Sequence, residues 1–358
     1  MEFGIQFFPD VRPDQKSARD YFDESLRLVE LCDDYGYTHV RTVEHYFESY
    51  GGYSPSPLIF LTACAARSEK ARLITGAVLP AFNNPLKLAG EVGMVDAISK
   101  GRVEVGFARA FLPHEFHRFG VDLDESVARF DEGVAQITRL IDEENVRMDG
   151  RFHSFGELTS LPRPTQKQIP YWTAAIATPA SFEKAGRAGH SVMAIPLGGG
   201  AMVELLGLYR DAWRSAGHPG NGRVMLAFHM VCHEDHGAAE DIARDNLNRY
   251  LKSLVSSASD WTSGEMSKDY PHYGEIIAKL EKENYDTQMA SGAAWVGTPD
   301  ELVERVRDYN ATAGGFEIAS LQVNFNMIPY EDAARSMKLF GSKVIPHFAS
   351  DVANAAAE

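Results

Sequence analysis

The sequence predicts a single (β/α)8 barrel over residues 1–358, with insertions at the carboxyl ends of its strands. Eight short runs rich in β-branched and aromatic residues recur along the chain, and most precede a helix-length segment with apolar residues at helical spacing. No linker rich in proline, glycine or serine divides the chain, so one domain is expected. The predicted strands are Phe3–Phe8, His39–Val43, Leu73–Leu79, Val103–Phe107, Tyr171–Ala175, Ser191–Ile195, Met225–Cys232 and Ile318–Phe325.

Helices are expected between these strands, and capping residues mark where three of them begin. Asn84-Pro85, Thr178-Pro179 and Thr298-Pro299 each place a capping side chain before a proline at the first helical position. Glu301 completes the pattern of a capping box after Thr298. These three helix starts are the most specific local predictions in the chain.

Two stretches, Asn145–Pro170 and Ser256–Ser291, show no clear period and are expected to be irregular insertions near the barrel mouth. The second is polar and rich in serine, so it is expected to form a mobile lid. Its Trp261, Tyr270 and Tyr273 would pack once ligands fill the site.

Composition excludes several classes of function. The 35 basic and 50 acidic residues give a net charge of −15, which disfavours nucleic acid and anionic membranes as partners. The chain starts directly with a strand-like run, so neither an export signal nor a membrane span is expected. Cys32, Cys64 and Cys232 have no disulfide or zinc spacing, and a reducing cytoplasm is the expected location.

Common cofactor motifs are missing from the sequence. There is no G-x-G-x-x-G, no P-loop and no G-x-S-x-G, so Rossmann-type dinucleotide binding, P-loop hydrolysis and a nucleophile elbow are not indicated. The segments 114–117 and 233–236 each hold two histidines three residues apart rather than four, with no obvious third ligand. No metal site is predicted.

Glu44-His45-Tyr46 lies where the second predicted strand ends. The carboxyl ends of barrel strands carry the active site, so a carboxylate, an imidazole and a phenol at this position indicate an enzyme. The alternative is that His45 is a buried structural histidine.

A second group of residues predicts an anion site. Thr178-Pro179-Ala180-Ser181 follows the fifth predicted strand, so the amino end of a helix and two hydroxyl groups would face the barrel mouth. Arg109 ends the preceding strand unit and could bind the same anion. The alternatives are that Thr178 only caps its helix and that Arg109 pairs with a carboxylate.

Six stretches in order along the chain resemble the bacterial luciferase family of flavin-dependent monooxygenases, and the pattern is most similar to the alkanal-oxidising catalytic subunit. Because the stretches extend over nearly the whole chain, the resemblance is more specific than any single motif. It implies a (β/α)8 barrel that binds FMN. The stretches are 44–47, 73–80, 95–102, 115–120, 296–301 and 336–340.

The resemblance assigns site residues. Arg109, Thr178 and Ser181 fall on the family's phosphate-binding positions. Gly76-Ala77 falls on the dipeptide that forms a non-prolyl cis peptide bond beneath the flavin. His45 falls on the catalytic histidine beside the flavin, where it would act as general acid and base, and Glu44 falls on its acidic neighbour.

The implied activity is that of the oxygenase in a two-component system. Reduced FMN (FMNH2) from a separate NAD(P)H:flavin reductase would react with O2 to give a C4a-peroxyflavin, which oxygenates an aldehyde or ketone. A homodimer is expected. Tyr46, Ala108 and Ala177 depart from the family pattern, so light emission is not predicted.

Three alternatives remain open at this point. They are an F420-dependent oxidoreductase with the same barrel, a non-catalytic flavin-binding subunit, and a metal-dependent barrel hydrolase.

Overall fold

The computed structural model describes residues 1–349 and contains eleven strands within that range. They are β1 (Glu2–Phe7), β2 (His39–Thr42), β3 (Arg72–Thr75), β4 (Val103–Phe107), β5 (Val146–Asp149), β6 (Ser154–Leu158), β7 (Tyr171–Ala175), β8 (Ser191–Ala194), β9 (Val224–Cys232), β10 (Ala294–Gly297) and β11 (Ile318–Gln322).

Eight of these strands form a closed parallel barrel. The order around it is β1, β2, β3, β4, β7, β8, β9 and β11, and β11 pairs back with β1. Each of the eight predicted runs supplies one of these strands, so the predicted fold class is confirmed.

Helices connect the strands and surround the barrel. Asn84 caps the fourth helix with its side chain, and Thr298 and Glu301 form the expected capping box at the twelfth. The helices are α1 (Ala18–Val29), α2 (Cys32–Tyr35), α3 (Pro57–Ala65), α4 (Pro85–Ile98), α5 (Pro113–Phe119), α6 (Ser126–Asp142), α7 (Pro179–Ala188), α8 (Gly199–Ser215), α9 (His236–Ser257), α10 (Tyr273–Leu280), α11 (Tyr285–Ser291), α12 (Pro299–Thr312) and α13 (Tyr330–Lys343).

The ninth strand of the main sheet, β10, was not predicted. The first part of β9 closes the barrel by pairing with β8 and β11, while its carboxyl part, His229–Cys232, pairs with β10. Because β9 is nine residues long, it can serve the barrel and this extra strand together.

Both stretches that were expected to be irregular contain regular structure, so that expectation was wrong. Asn145–Pro170 contains the antiparallel hairpin of β5 and β6, and Ser256–Ser291 contains α10 and α11. Trp261 donates a hydrogen bond to the carbonyl oxygen of Phe111 (2.8 Å), and the Tyr270 hydroxyl donates to that of Ala110. Both aromatic side chains are buried, and these contacts anchor the polar segment to the barrel.

The barrel interior is packed with apolar side chains on the side away from the mouth. Ile74, Trp172, Met193, Met225 and Ile318 form one buried cluster there. This packing leaves the carboxyl ends of the strands as the place for a site. Among residues 1–349, none of the helices combines the length and the apolar composition that a membrane span requires.

Candidate active site

His45 lies at the barrel mouth, three residues after β2 ends. Its side chain is largely buried, and its ring lies 5.4 Å from that of Phe8, 5.5 Å from Tyr50 and 6.1 Å from Phe111. Gly51, with φ of +81°, passes so close to His45 that a Cβ atom there would overlap the imidazole. The aromatic neighbours and this turn hold the imidazole in one position.

Glu115, on α5, is the residue that holds the imidazole. Its Oε1 lies 3.0 Å from His45 Nδ1 and accepts the backbone N–H of Tyr46 at 2.9 Å. The carboxylate is fully buried, and its Oε2 has no hydrogen-bond partner among residues 1–349. With Nδ1 donating to Glu115, Nε2 is the nitrogen available to a ligand. Sequence reasoning did not identify this pair, although Glu115 lies in one of the stretches that resemble the luciferase family.

The Glu44 carboxylate makes no hydrogen bond to the imidazole of His45. This carboxylate accepts the Tyr46 hydroxyl at 2.5 Å, the Asn83 side-chain amide at 2.8 Å and the backbone N–H of Leu79 at 3.0 Å. Burial is the largest influence on this group and raises the pKa of Glu44 to about 7 despite these three donors. The observed contacts position the chain after β3, and a catalytic role for Glu44 stays a prediction.

The peptide bond between Gly76 and Ala77 is cis, as the resemblance implies. The carbonyl oxygen of Gly76 accepts a hydrogen bond from Arg41 Nη2 at 3.0 Å. A Cβ atom at position 76 would overlap the Arg41 side chain, so a larger residue there would displace the arginine.

Thr178 and Ser181 lie at the start of α7, directly after β7. Thr178 is exposed and makes no side-chain capping bond to the helix. The alternative that Thr178 only caps its helix is therefore not realised. The hydroxyl of Thr178 and the first N–H groups of α7 are available to bind an anion.

Arg109 follows β4, which pairs with β7 so that Phe107 lies opposite Thr173. Its guanidinium lies 4.3 Å from the ring centre of Tyr270, and Nη1 donates to the carbonyl oxygen of Asp269 at 2.8 Å. Within the described part of the chain it forms no ion pair with a carboxylate, so that alternative is not realised either. The 269–270 segment is a neighbour that sequence reasoning missed.

The structure therefore places the predicted anion-binding residues on neighbouring strand units without joining them directly. No hydrogen bond within residues 1–349 links Arg109 to Thr178 or Ser181. A guanidinium free of carboxylates and an uncapped helix end with hydroxyl groups fit the phosphate of a mononucleotide.

No group of three or more metal-binding side chains occurs in the part of the chain that the structure describes. In the two segments that superficially resemble metal sites, His117 lies 3.5 Å from Glu265 and His236 lies 2.9 Å from Glu301. Glu115, which lies in the first of these segments, is the hydrogen-bond partner of His45.

Comparisons with known proteins identify the family of this chain. A sequence profile of the luciferase-like monooxygenase family matches residues 1–315. The oxygenase component of a flavin-dependent trigonelline monooxygenase from Acinetobacter baylyi is 26% identical over 97% of this chain and 96% of its own length. The alkanal monooxygenase alpha chain of the Kryptophanaron alfredi symbiont is 24% identical, covering 97% of this chain and 98% of its own.

A solved structure is more similar still. Monooxygenase RslO1 from Streptomyces bottropensis is 44% identical, with a TM-score of 0.87 over 97% of this chain and all of its own. The profile match and this relative confirm the resemblance that the sequence motifs carry. The chain belongs to the luciferase-like monooxygenase family, whose members include flavin-dependent oxygenase components.

Proposed function

We propose that this protein is the oxygenase of a two-component system that takes FMNH2 from a separate NAD(P)H:flavin reductase and oxygenates an aldehyde or ketone. The observation that carries the proposal is the pair of His45 and Glu115 at the mouth of a barrel of this family. A bound reduced flavin would supply the oxygen chemistry, and the protein would bind, orient and shield the reactants.

His45 would be the proton-transfer group. A buried carboxylate at Nδ1 fixes the orientation of the ring and leaves Nε2 free at the mouth. An imidazole held in this way is a common general acid and base, because it can move a proton without changing its position. The rings of Phe8 and Tyr50 beside the imidazole would shield the same place from water.

Arg109, Thr178 and Ser181 would hold the phosphate of the flavin, and Gly76-Ala77 would lie against its ring. A structure with the same fold, 19% identical with a TM-score of 0.79, is the oxygenating constituent of 3,6-diketocamphane monooxygenase in complex with FMN. The trigonelline enzyme is described as an oxygenase component, which supports a separate reductase partner here.

The test is to supply the purified protein with FMN, a flavin reductase, NAD(P)H and O2, and to screen aldehydes and ketones for oxygenated products by mass spectrometry. The same screen with reduced F420 in place of FMN decides between the two cofactors. Flavin binding without any product would favour a non-catalytic subunit. Failure to bind either FMN or F420 would overturn the proposal.

Arg109→Ala tests the phosphate assignment. Loss of a charge-assisted contact should weaken FMN binding by roughly ten- to a hundredfold. Riboflavin, which lacks the phosphate, is the matched ligand and should lose little affinity. An equal loss for FMN and riboflavin would show that Arg109 does not contact the phosphate.

We also propose that α3 and α4 pack against a second copy of the chain. The two helices are neighbours and expose Ile59 (74%), Met94 (56%) and Ile98 (45%) on one side of the barrel. Ile59→Asp should shift the protein from dimer to monomer in light scattering. Met266→Asp, at an exposed position outside these helices, is the control.

The buried free thiols of Cys32, Cys64 and Cys232 agree with the proposed cytoplasmic location.

A further inference from the structure

One layer of the barrel interior, close to the mouth, is polar. Gln6 of β1 lies in register with Arg41 of β2 and with Gln322 of β11, and Gln322 lies in register with His229 of β9. Arg41 Nη1 donates to Gln6 Oε1 at 2.5 Å. We call Gln6, Arg41, His229 and Gln322 the polar layer.

The polar layer contains a positive charge without a counter-ion. Within residues 1–349, Arg41 forms no ion pair, and its Nε is buried without an acceptor. His229 Nε2 in the same layer also lacks a partner. Burial lowers the pKa of Arg41 only to about 10, so the guanidinium is charged at neutral pH. Buried charges are normally paired, because an unpaired one is costly.

The other ionisable groups around Arg41 do not supply the missing negative charge. Burial lowers the pKa of His229 to about 3, so this histidine is neutral. Burial raises the pKa of Tyr250 on α9, which adjoins Arg41, and that of Tyr50, whose ring lies 5.6 Å from that of Tyr250. Asp10 lies beyond Tyr50 and is bound by the amide of Asn326.

The position of Arg41 connects it with the proposed flavin site. Around the barrel, the proposed phosphate-binding residues follow β4 and β7, the Gly76-Ala77 peptide follows β3, and Arg41 lies on β2. Its guanidinium donates directly to the carbonyl oxygen of Gly76. A flavin that starts at the phosphate site and passes this peptide would therefore bring its ring to Arg41.

We propose that Arg41, held by Gln6, stabilises the anionic form of the reduced flavin, in which the pyrimidine ring has lost the proton from N1. The inference rests on the proposed function and adds a residue that sets the protonation state of the cofactor. The charge of this anion is shared between N1 and the neighbouring carbonyl oxygen, a planar acceptor edge that suits a planar guanidinium. A positive group near N1 is a recognised means of tuning a flavin.

The experiment compares the wild type with Arg41→Met and Arg41→Lys under anaerobic conditions. The pKa of bound reduced FMN is read from its absorbance during a pH titration, and dissociation constants are measured for oxidised and reduced FMN. Arg102→Gln is the matched control. Arg102 is also partly buried and also donates to backbone carbonyls, those of Ala65 and Ala71, but it lies at the other end of the barrel.

Arg41→Met should raise the pKa of bound reduced FMN by about one to two units and weaken its binding roughly ten- to a hundredfold at neutral pH. Oxidised FMN, which carries no charge on the ring, should change by less than about threefold. Arg41→Lys should keep most of the effect of the arginine, and Arg102→Gln should resemble the wild type.

An equal loss of affinity for oxidised and reduced FMN would overturn the inference, since Arg41 would then support the fold or the neutral ring. So would a variant that binds both flavins normally but loses an anionic substrate analogue. A measurement on the wild type alone also tests the inference, even if Arg41→Met does not fold. If its bound reduced FMN has the same pKa as free reduced FMN, Arg41 does not stabilise the anion. A wild type that binds no FMN contradicts the proposed function instead.

Discussion

The two ends of the barrel interior treat buried charge in opposite ways. Near the amino ends of the strands, Glu104 accepts hydrogen bonds from Arg72 and, at 2.5 Å, from the indole N–H of Trp172, so each of its oxygens has a donor. Near the carboxyl ends, Arg41 has no carboxylate among the described residues and Glu115 keeps one bare oxygen. Both carboxylate oxygens of Glu104 therefore have hydrogen-bond donors within the protein, whereas Arg41 and Glu115 each keep an atom without a partner.

From this difference we expect the amino-terminal end of the barrel to contribute mainly to stability and the carboxyl-terminal end mainly to function. In a (β/α)8 barrel the amino-terminal end serves stability and the carboxyl-terminal end carries the site. A satisfied buried pair is costly to break, whereas unsatisfied groups at the mouth gain partners when a ligand binds. Substitutions at the two ends should therefore affect different measurements.

His45→Ala, at the mouth, should have the largest effect. We expect product formation to fall on the order of 10²- to 10⁴-fold because the proton-transfer group is lost. The stability of the fold and the affinity for FMN should change little. Product yield by mass spectrometry, with His236→Ala as the surface control, measures this. Unchanged turnover would remove His45 from the reaction.

Glu104→Leu should show the reverse pattern at the other end. Removing the carboxylate leaves Arg72 and the Trp172 N–H without their partner, which should destabilise the fold by about 3 kcal/mol. FMN affinity of the folded fraction should remain within about twofold. Denaturant unfolding gives the stability, and Glu143→Leu, in an exposed pair with Arg139, is the control. A stable Glu104→Leu protein with weakened FMN binding would contradict the separation of the two ends.

The fold could be predicted almost completely because its signal is local. Each barrel strand is a short apolar run, and each run is visible without knowing its partners. β10 was not predicted because the eight other runs already account for a closed barrel. The helices within Ser256–Ser291 were not predicted because this polar segment is ordered by a few long-range contacts, such as that of Trp261 with Phe111.

The site could be predicted in part. Residues directly after strands, such as His45 and Arg109, are marked by their position in the chain. Glu115 was not recognised as the partner of His45, since the two are 70 positions apart and meet only through the packing of α5. Arg41 was missed for another reason. Arg41 lies within a predicted strand rather than directly after one, and only the closed barrel shows that its side chain meets the carbonyl oxygen of Gly76.

Glu44 is a buried carboxylate at the barrel mouth, and its pKa is shifted. Its contribution to the stability of the fold can therefore be tested by changing the pH. Burial raises its pKa in the folded state to about 7, above the ordinary unfolded value of about 4.3. The protonated form is therefore favoured by folding. This contribution is complete below the unfolded pKa and is lost as pH rises through 7, on the order of 3 to 4 kcal/mol in total.

Glu44→Gln should remove this slope. Unfolding free energies measured between pH 5 and 8 should fall with pH more steeply in the wild type than in the variant, whatever their absolute difference. Glu143→Gln, at an exposed position, should keep the wild-type slope. Parallel curves for the wild type and Glu44→Gln would mean that the three donors keep Glu44 ionised throughout this range.

The smallest expected effect comes from two Thr-Pro helix starts that look alike in sequence. Thr298 forms a capping box with Glu301, so Thr298→Ala should lower the free energy of unfolding by about 1 kcal/mol and leave FMN binding unchanged. Thr178 makes no capping bond, so Thr178→Ala should leave stability unchanged. It should instead lower the affinity for FMN, but not for riboflavin, by roughly three- to tenfold, as expected for the loss of one neutral hydrogen bond to the phosphate. Thermal unfolding and fluorescence titration of both variants measure the two effects. If Thr178→Ala costs stability as Thr298→Ala does and binds FMN normally, its hydroxyl serves the helix, and the phosphate site must lie elsewhere at the mouth.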